Sequence, residues 1–320
     1  MLIMEDEEAF FRSLGPTGAR SVPTAPTAAA RASDAYVYFP GPEQFPRLLG
    51  LPNEELGAVV DRHGSGWWNA ARRAHLRAAR VVIATATPLA AARFRVDREA
   101  WERELLRASL VPPDQLARAA APLVRHLRAA REVRIIHPNG TDLTVTLSHA
   151  SPPVIEDGRV DRADQRARRL WTQIPTGVVA VPLALGVGEG VWESNREAYD
   201  RFSDPPVAVG ARFSFHRGRL REYSFDRGGT PFTKAYVRGG RGRDLPGALT
   251  FGLNPAVDRA PELEEVAAGA VGLLLGDNRS LGGRNRSRFG YLTTMAGATL
   301  ELDGEPFLEE GTPVRRRLPD

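Results

Sequence analysis

Residues 132–147, EVRIIHPNGTDLTVTL, mark where the chain changes character. Val133 and Ile135 alternate with polar neighbours before Pro138-Asn139-Gly140, and Leu143, Val145 and Leu147 do so after it. A period of two sets one face of each run on a core, and Asn-Gly between such runs signals a tight turn. The segment therefore reads as an antiparallel hairpin with strands over 133–137 and 143–147.

Downstream of this hairpin the sheet pattern continues. Strands are predicted over 178–183, 190–193, 211–216 and 220–225, with Asp157-Gly158 and Arg217-Gly218 as further turn signals. Residues 262–268 read as a short helix, 270–275 as an apolar strand, and 298–302 with 306–308 as a last hairpin about Asp303-Gly304. Upstream the pattern is helical. Two arginine-rich helices are predicted over 97–108 and 113–131, the second opened by Pro113-Asp114. Before them a helix over 69–80 runs into a β-branched strand over 81–87, stopped by Pro88, which is the order of a parallel α/β unit. Residues 36–39 are strand-like, 40–46 a turn-rich loop, 5–14 a short amphipathic helix, and 15–33 a Pro/Ala/Thr/Gly-rich linker. The expected organisation is a flexible arm over 1–33, an α/β domain over 34–131 and a sheet-dominated α+β domain over 132–320.

Composition narrows the function classes. With 320 residues, 42% of them hydrophobic and 26% charged, the chain is globular and long enough for two domains. Lysine and arginine total 43 against 39 acids, a surplus of 4, and Lys234 is the only lysine. So small a surplus does not point to nucleic acid. The absence of cysteine excludes disulfides, thiolate metal sites and a cysteine nucleophile. The apolar stretches 177–188 and 267–276 are too short for a bilayer span, and residues 1–8 are acidic rather than signal-like. A cytoplasmic protein without membrane or nucleic-acid partners is expected.

Several segments carry a family pattern in order. They are Gly140-Thr141-Asp142-Leu143-Thr144-Val145, Gln173-Ile174-Pro175-Thr176-Gly177-Val178-Val179, the hairpin about Arg217-Gly218-Arg219, and Phe251-Gly252-Leu253-Asn254-Pro255. Then come Gly272-Leu273-Leu274-Leu275-Gly276-Asp277-Asn278, Gly282-Gly283-Arg284-Asn285-Arg286-Ser287, and Leu302-Asp303-Gly304 with Glu309-Glu310-Gly311. Over roughly 134–312 this set resembles the thermophilic-type aminopeptidases of the M29 metallopeptidase family, whose relatives include a ring-opening dihydroxypyridine dioxygenase. The resemblance implies a homodimer and a metal cage of carboxylates and imidazoles that activates water. The family's ligand positions fall here on Val178, Ala248, Gly272, Gly290 and Leu292, which cannot coordinate. No catalytic metal and no other cofactor is therefore expected. The histidines His63, His75, His126, His137, His149 and His216 show no paired metal-ligand spacing that would relocate the site.

Without a metal, other groups are left to do chemistry. Loss of long ligands either opens an apolar pocket or lets the core collapse into the vacancy. Glu193 and Asp277 are the candidate acid/base carboxyls, and Tyr291 a candidate hydrogen-bond donor. Trp192, Asn254, Asn278, Arg279, Arg284, Asn285, Ser287 and Arg288 are candidate substrate contacts. The arginines among them are suited to a carboxylate, and Asn254 either orients substrate or caps a turn. Gly186-Val187-Gly188-Glu189-Gly190 precedes a strand rather than a helix, so it is no dinucleotide loop. Trp67-Trp68 reads as core packing or an aromatic lid. The function this implies is a metal-independent enzyme acting on a small amino-acid-derived metabolite by acid/base catalysis. Its reaction is expected to be a condensation or cyclisation of the imine-forming, Pictet-Spengler-like type in specialised metabolism. A non-catalytic binding protein of the same fold, or a leucyl-type metallo-aminopeptidase with relocated ligands, are the alternatives.

Overall fold

A computed structural model describes residues 24–39, 70–71, 73–167, 169–200 and 203–314. The helix expected over 5–14, the loop over 40–46, His63 and Trp67-Trp68 lie outside the described residues. In chain order the first elements are α1 (Thr24–Arg31), β1 (Ala35–Tyr38), β2 (Arg77–Val81), α2 (Pro88–Phe94), α3 (Arg98–Ser109) and α4 (Pro113–Ala129). Next come β3 (Glu132–His137), β4 (Thr141–Thr146), β5 (Val154–Glu156), α5 (Arg162–Arg166), β6 (Trp171–Ile174) and β7 (Val178–Pro182). They are followed by β8 (Glu189–Glu193), β9 (Ala198–Tyr199), β10 (Val207–Ala208), β11 (Arg212–His216), β12 (Arg219–Ser224) and α6 (Thr230–Arg238). The last are β13 (Pro246–Gly252), β14 (Val271–Gly276), β15 (Gly290–Met295), β16 (Thr299–Leu302), β17 (Glu305–Glu309) and β18 (Thr312–Pro313). Among the described residues no helix is long and apolar enough to cross a membrane.

The described residues up to Glu102, with Gly158–Pro175, form one compact unit; Arg103–Asp157 and the residues from Thr176 onward form another. This division differs from the expected boundary at 131/132, for a packing reason. The apolar stripe of α4 (Ala120, Leu123, Val124, Leu127) shares one core cluster with strand residues Val133, Ile135 and Leu143. In the other direction, β6 returns to the first unit because it pairs in parallel with β2.

In the first unit β1, β2 and β6 form a parallel sheet in the order β1-β2-β6. Three local expectations fail here. Residues 24–31 are helical rather than linker, with Ala30 fully buried against Ala70, Ala71 and Leu76. The helix expected to reach residue 80 ends early at His75, which takes a left-handed φ of 55°. The Leu76 N–H closes on the Ala71 carbonyl at 3.0 Å, a helix-terminating bond, and the strand then starts at Arg77. The 82–85 run, expected to be strand, is a turn of 3₁₀ helix.

The second unit holds an eight-stranded sheet, order β12-β11-β8-β4-β3-β16-β17-β18, and a five-stranded sheet, order β15-β14-β13-β7-β5. Ile135, Leu143, Trp192, Phe213 and Phe215 from the first of these share one core with Val179, Val181, Leu249, Phe251, Leu273 and Leu275 from the second. The Trp192 indole N–H donates to Thr293 Oγ1 across that core at 2.9 Å. The hairpins at Arg217-Gly218 and Asp303-Gly304 turn where expected, with φ of 51° and 68°, and of 51° and 83°. The helix expected over 262–268 is absent. Glu262 takes φ of 65°, and the segment bonds to Asn254 instead, through Asn254 N to Val266 O at 2.9 Å and Ala268 N to Asn254 O at 3.0 Å.

Candidate functional site

Strand register decides which side chains share the second face of the five-stranded sheet. Thr250 of β13 stands opposite Ala180 of β7 and Gly272 of β14, and Gly272 stands opposite Thr294 of β15. One rung away, Ala248 stands opposite Pro182 and Leu274, with Leu292 next to Leu274. In the other direction Gly252 stands opposite Val178, and Val178 opposite Glu156 of the edge strand β5. Val178, Ala248, Gly272 and Leu292 therefore lie on one face, and Gly290 continues it opposite Gly276. The alternate residues of the same strands point into the main core.

This face is floored by small side chains. Val178, Ala180, Ala248, Thr250 and Thr294 are all buried. Thr250 Oγ1 is buried without a hydrogen-bond partner. It would stand 2.2 Å from a Cβ added at Gly272, so no side chain fits there unless the hydroxyl moves.

Glu156 stands at the edge of the face, cross-strand from Val178, a spacing that puts Cβ atoms about 5 Å apart. Desolvation of its carboxyl, and then repulsion from Glu265, push its pKa from the ordinary 4.5 to about 7. The backbone beneath it is tied down. Thr176 Oγ1 donates to the Glu156 carbonyl at 3.0 Å, and Asn254 Nδ2 donates to the Thr176 carbonyl at 2.8 Å.

A second buried carboxyl lies in the 254–268 loop. Glu264 is 9% exposed and accepts the Glu262 N–H at 2.9 Å, and burial followed by Glu265 holds it well above the ordinary carboxyl range. Within electrostatic reach of Glu264 are Arg196, Tyr199 and Tyr291, and burial raises both phenols. Tyr199 donates to Glu197, and Arg196 Nη1 donates to the Asp258 carbonyl.

The residues proposed from sequence are placed as follows. Glu193 pairs with Arg212 on the eight-stranded sheet, and strand alternation sets it on the face opposite buried Trp192. Asp277 and Tyr291 belong to the five-stranded sheet region, so the structure does not bring Glu193 together with them. The Asp277 carboxylate is taken up locally by Arg279 N (3.0 Å), Arg279 Nε (2.7 Å) and Ser287 N (3.2 Å). Tyr291 packs edge-on against Phe232, with ring centroids 4.8 Å apart.

Asn254, Asn278 and Asn285 are buried structural clamps. Asn254 donates to the Ala108 carbonyl (3.0 Å) and the Thr176 carbonyl (2.8 Å) and accepts from Ala256 N (3.0 Å). Asn278 donates to the Gly247 carbonyl (2.7 Å) and accepts from Asn285 N (2.8 Å), while Asn285 donates to the Gly242 and Gly276 carbonyls (2.8 and 2.6 Å). Ser287 donates to the Gly239 carbonyl, and Arg284 and Arg288 are exposed. Sequence reasoning missed Glu156, Thr250 and Glu264. The available signals were the Val154-Ile155-Glu156 run before Asp157-Gly158 and the alternation of 246–252.

The positions that the resemblance assigns to metal ligands do not fit a metal. Val178, Ala248, Gly272, Gly290 and Leu292 carry no donor atom, and the space over Gly272 is taken by Thr250 Oγ1. Among the described residues no three His, Asp or Glu side chains are grouped to hold an ion.

No protein-family model matches the chain, and no curated protein does. Solved structures do. AmpT from Thermus thermophilus superposes with a TM-score of 0.64 at 17% identity, over 96% of this chain and 85% of that one. A 2,5-dihydroxypyridine dioxygenase from Pseudomonas putida KT2440 gives 0.59 at 15% identity, over 92% and 75%. At these identities the likeness is one of fold, and this chain has the mixed α/β, sheet-dominated fold of the M29 aminopeptidase type.

Proposed function

We propose that this chain is a metal-independent acid/base enzyme acting on a small amino-acid-derived metabolite, with Glu156 as its proton-transferring group. The observation that carries the reading is the Glu156 carboxyl, held near pH 7 beside the small-residue floor of Val178, Ala180, Thr250 and Gly272. A carboxyl titrating there is present in both forms at neutral pH, the condition for efficient proton transfer. Thr250 Oγ1, buried and without a partner, supplies a hydrogen bond for a polar group of the substrate. It lies two strands across from Glu156 and two residues along, about 12 Å by strand spacing and rise.

Within that class the reaction we propose is condensation or ring closure of the imine-forming type. An amine and a carbonyl join with loss of water; a carboxylic acid protonates the departing hydroxyl, and its carboxylate takes the amine proton. No oxidant is required. Proton transfer rests on Glu156 in place of Glu193 and Asp277, whose carboxylates are engaged by Arg212 and by Arg279 with Ser287. We propose that the chain acts as a homodimer, which light scattering checks.

A second reading, a non-catalytic binding protein, is favoured by the internal bonding of Asn254, Asn278, Asn285 and Asp277. The test is turnover of amino acids with small aldehydes by wild type and Glu156→Gln, beside elemental analysis and a leucyl-peptide cleavage assay. Product formed by wild type and lost in Glu156→Gln supports the proposal. Ligand-raised melting temperature without turnover supports the second reading, and near-stoichiometric metal with peptide cleavage overturns both.

A further inference from the structure

The first compact unit contains a pocket of about 490 Å³, lined by His75, Arg162, Gln165, Arg166 and Leu170. Its charged lining is cationic throughout. Arg162 and Arg166 are one turn apart on α5, which places them on the same helix face. Like charges at that spacing repel and weaken a helix, and an anion seated between them reverses the effect.

The acids of this helix are occupied elsewhere. Asp161 caps it, accepting Asp164 N at 2.8 Å, and Asp164 returns the bond to Asp161 N at 3.2 Å. Asp164 Oδ1 also takes Arg169 Nε and Nη2 at 3.1 and 2.9 Å. The capping box thus fixes the short helix while leaving the guanidinium groups of Arg162 and Arg166 to the pocket. Two guanidinium forks, an imidazole, an amide and one leucine make an oxyanion site by donor type and by charge.

We propose that this pocket binds a small dianion, a phosphoryl or dicarboxylate group, held between Arg162 and Arg166. The proposal is independent of the role given to Glu156. Isothermal titration of the full chain at low ionic strength, with inorganic phosphate and separately with malonate, tests it. Saturable one-to-one binding is expected for one or both, weakening with added salt. Arg162→Gln and Arg166→Gln should each weaken it about 10- to 100-fold, and the double variant should abolish it. Both positions are exposed and glutamine is a good helix former, so the variants should fold, which circular dichroism checks. Arg118→Gln, an exposed arginine outside the pocket, should bind as wild type. Binding of phosphate alone identifies a phosphoryl site, and binding of malonate alone a dicarboxylate site. No saturable heat with either ion, or equal binding by the double variant, overturns the proposal.

Discussion

Replacing Glu156 by glutamine should stabilise the protein above neutrality while removing its proton transfer. The folded protein holds this carboxyl at about 7 against an ordinary 4.5. Between those values the native state keeps a proton that the unfolded chain has released, so stability falls as pH rises through that window. The difference corresponds to a ceiling of about 3 kcal/mol at pH 8 and under about 1 kcal/mol at pH 5. Because Glu156 as a whole is only half-buried, solvent screening reduces the gain in practice to about 1–2 kcal/mol. Glutamine keeps the shape and carries no charge, so it recovers this cost at pH 8 and little of it at pH 5. Urea unfolding of wild type and Glu156→Gln at the two pH values measures the difference. A variant equally displaced at both pH values, or less stable at pH 8, would refute the desolvation argument. A gain in stability coupled to loss of turnover is the pattern of a residue kept for function at a cost in folding.

Asn254→Ala takes the Asn254 partner from the buried Thr176 carbonyl and the Ala256 N–H, and leaves the Ala108 carbonyl with the Val111 N–H alone, so it should destabilise by about 2–4 kcal/mol, read from the urea midpoint. Glu104→Ala should cost about 1–2 kcal/mol, because one carboxylate oxygen accepts the N–H groups of Asp258, Arg259 and Ala260 at 2.6, 2.9 and 3.1 Å. Thr250→Val removes a buried hydroxyl that has no partner and should raise stability by about 1 kcal/mol, while weakening any ligand that raises the wild-type melting temperature. Gly272→Ala should destabilise by about 1–3 kcal/mol through its clash with Thr250 Oγ1, and by clearly less in a Thr250→Ala background.

The sheet domain was legible because its signals are local and agree with one another. Alternation over 132–147 and the Asn-Gly, Arg-Gly and Asp-Gly turns each act within a few residues, and the strands formed within a residue or so of expectation. What failed depended on distant partners. The 69–80 pattern is helical in composition, but the bond closing at His75 and the parallel pairing of Ala78 and Arg80 with Trp171 and Gln173 impose a strand from residue 77. The acidic 262–268 segment also looks helical. Its backbone instead completes hydrogen bonds with Asn254, some dozen residues earlier, and no periodicity within the segment encodes that.

The candidate site was harder to read for a different reason. Residue type shows what chemistry a side chain is capable of, but whether that capacity is already used depends on the fold. Asp277, Asn278 and Asn285 have the composition of a binding loop, and the structure spends their polar atoms on holding the loop together. Glu193 sits next to a tryptophan, yet strand alternation separates the two and Arg212 neutralises the carboxylate. Glu156 and Thr250 looked ordinary in sequence because the Val154-Ile155-Glu156 run and the alternation of 246–252 mark strands and not the state of these two side chains. Glu156 gains its character from desolvation and from Glu265, more than a hundred residues away; Thr250 gains its own from the lack of any acceptor or donor around it. Unspent capacity on a buried, small-residue face is therefore the better guide to function here. Glu156 and Thr250, the side chains we propose for the chemistry, share the sheet face of Val178, Ala248 and Gly272, the positions that the resemblance assigns to metal ligands.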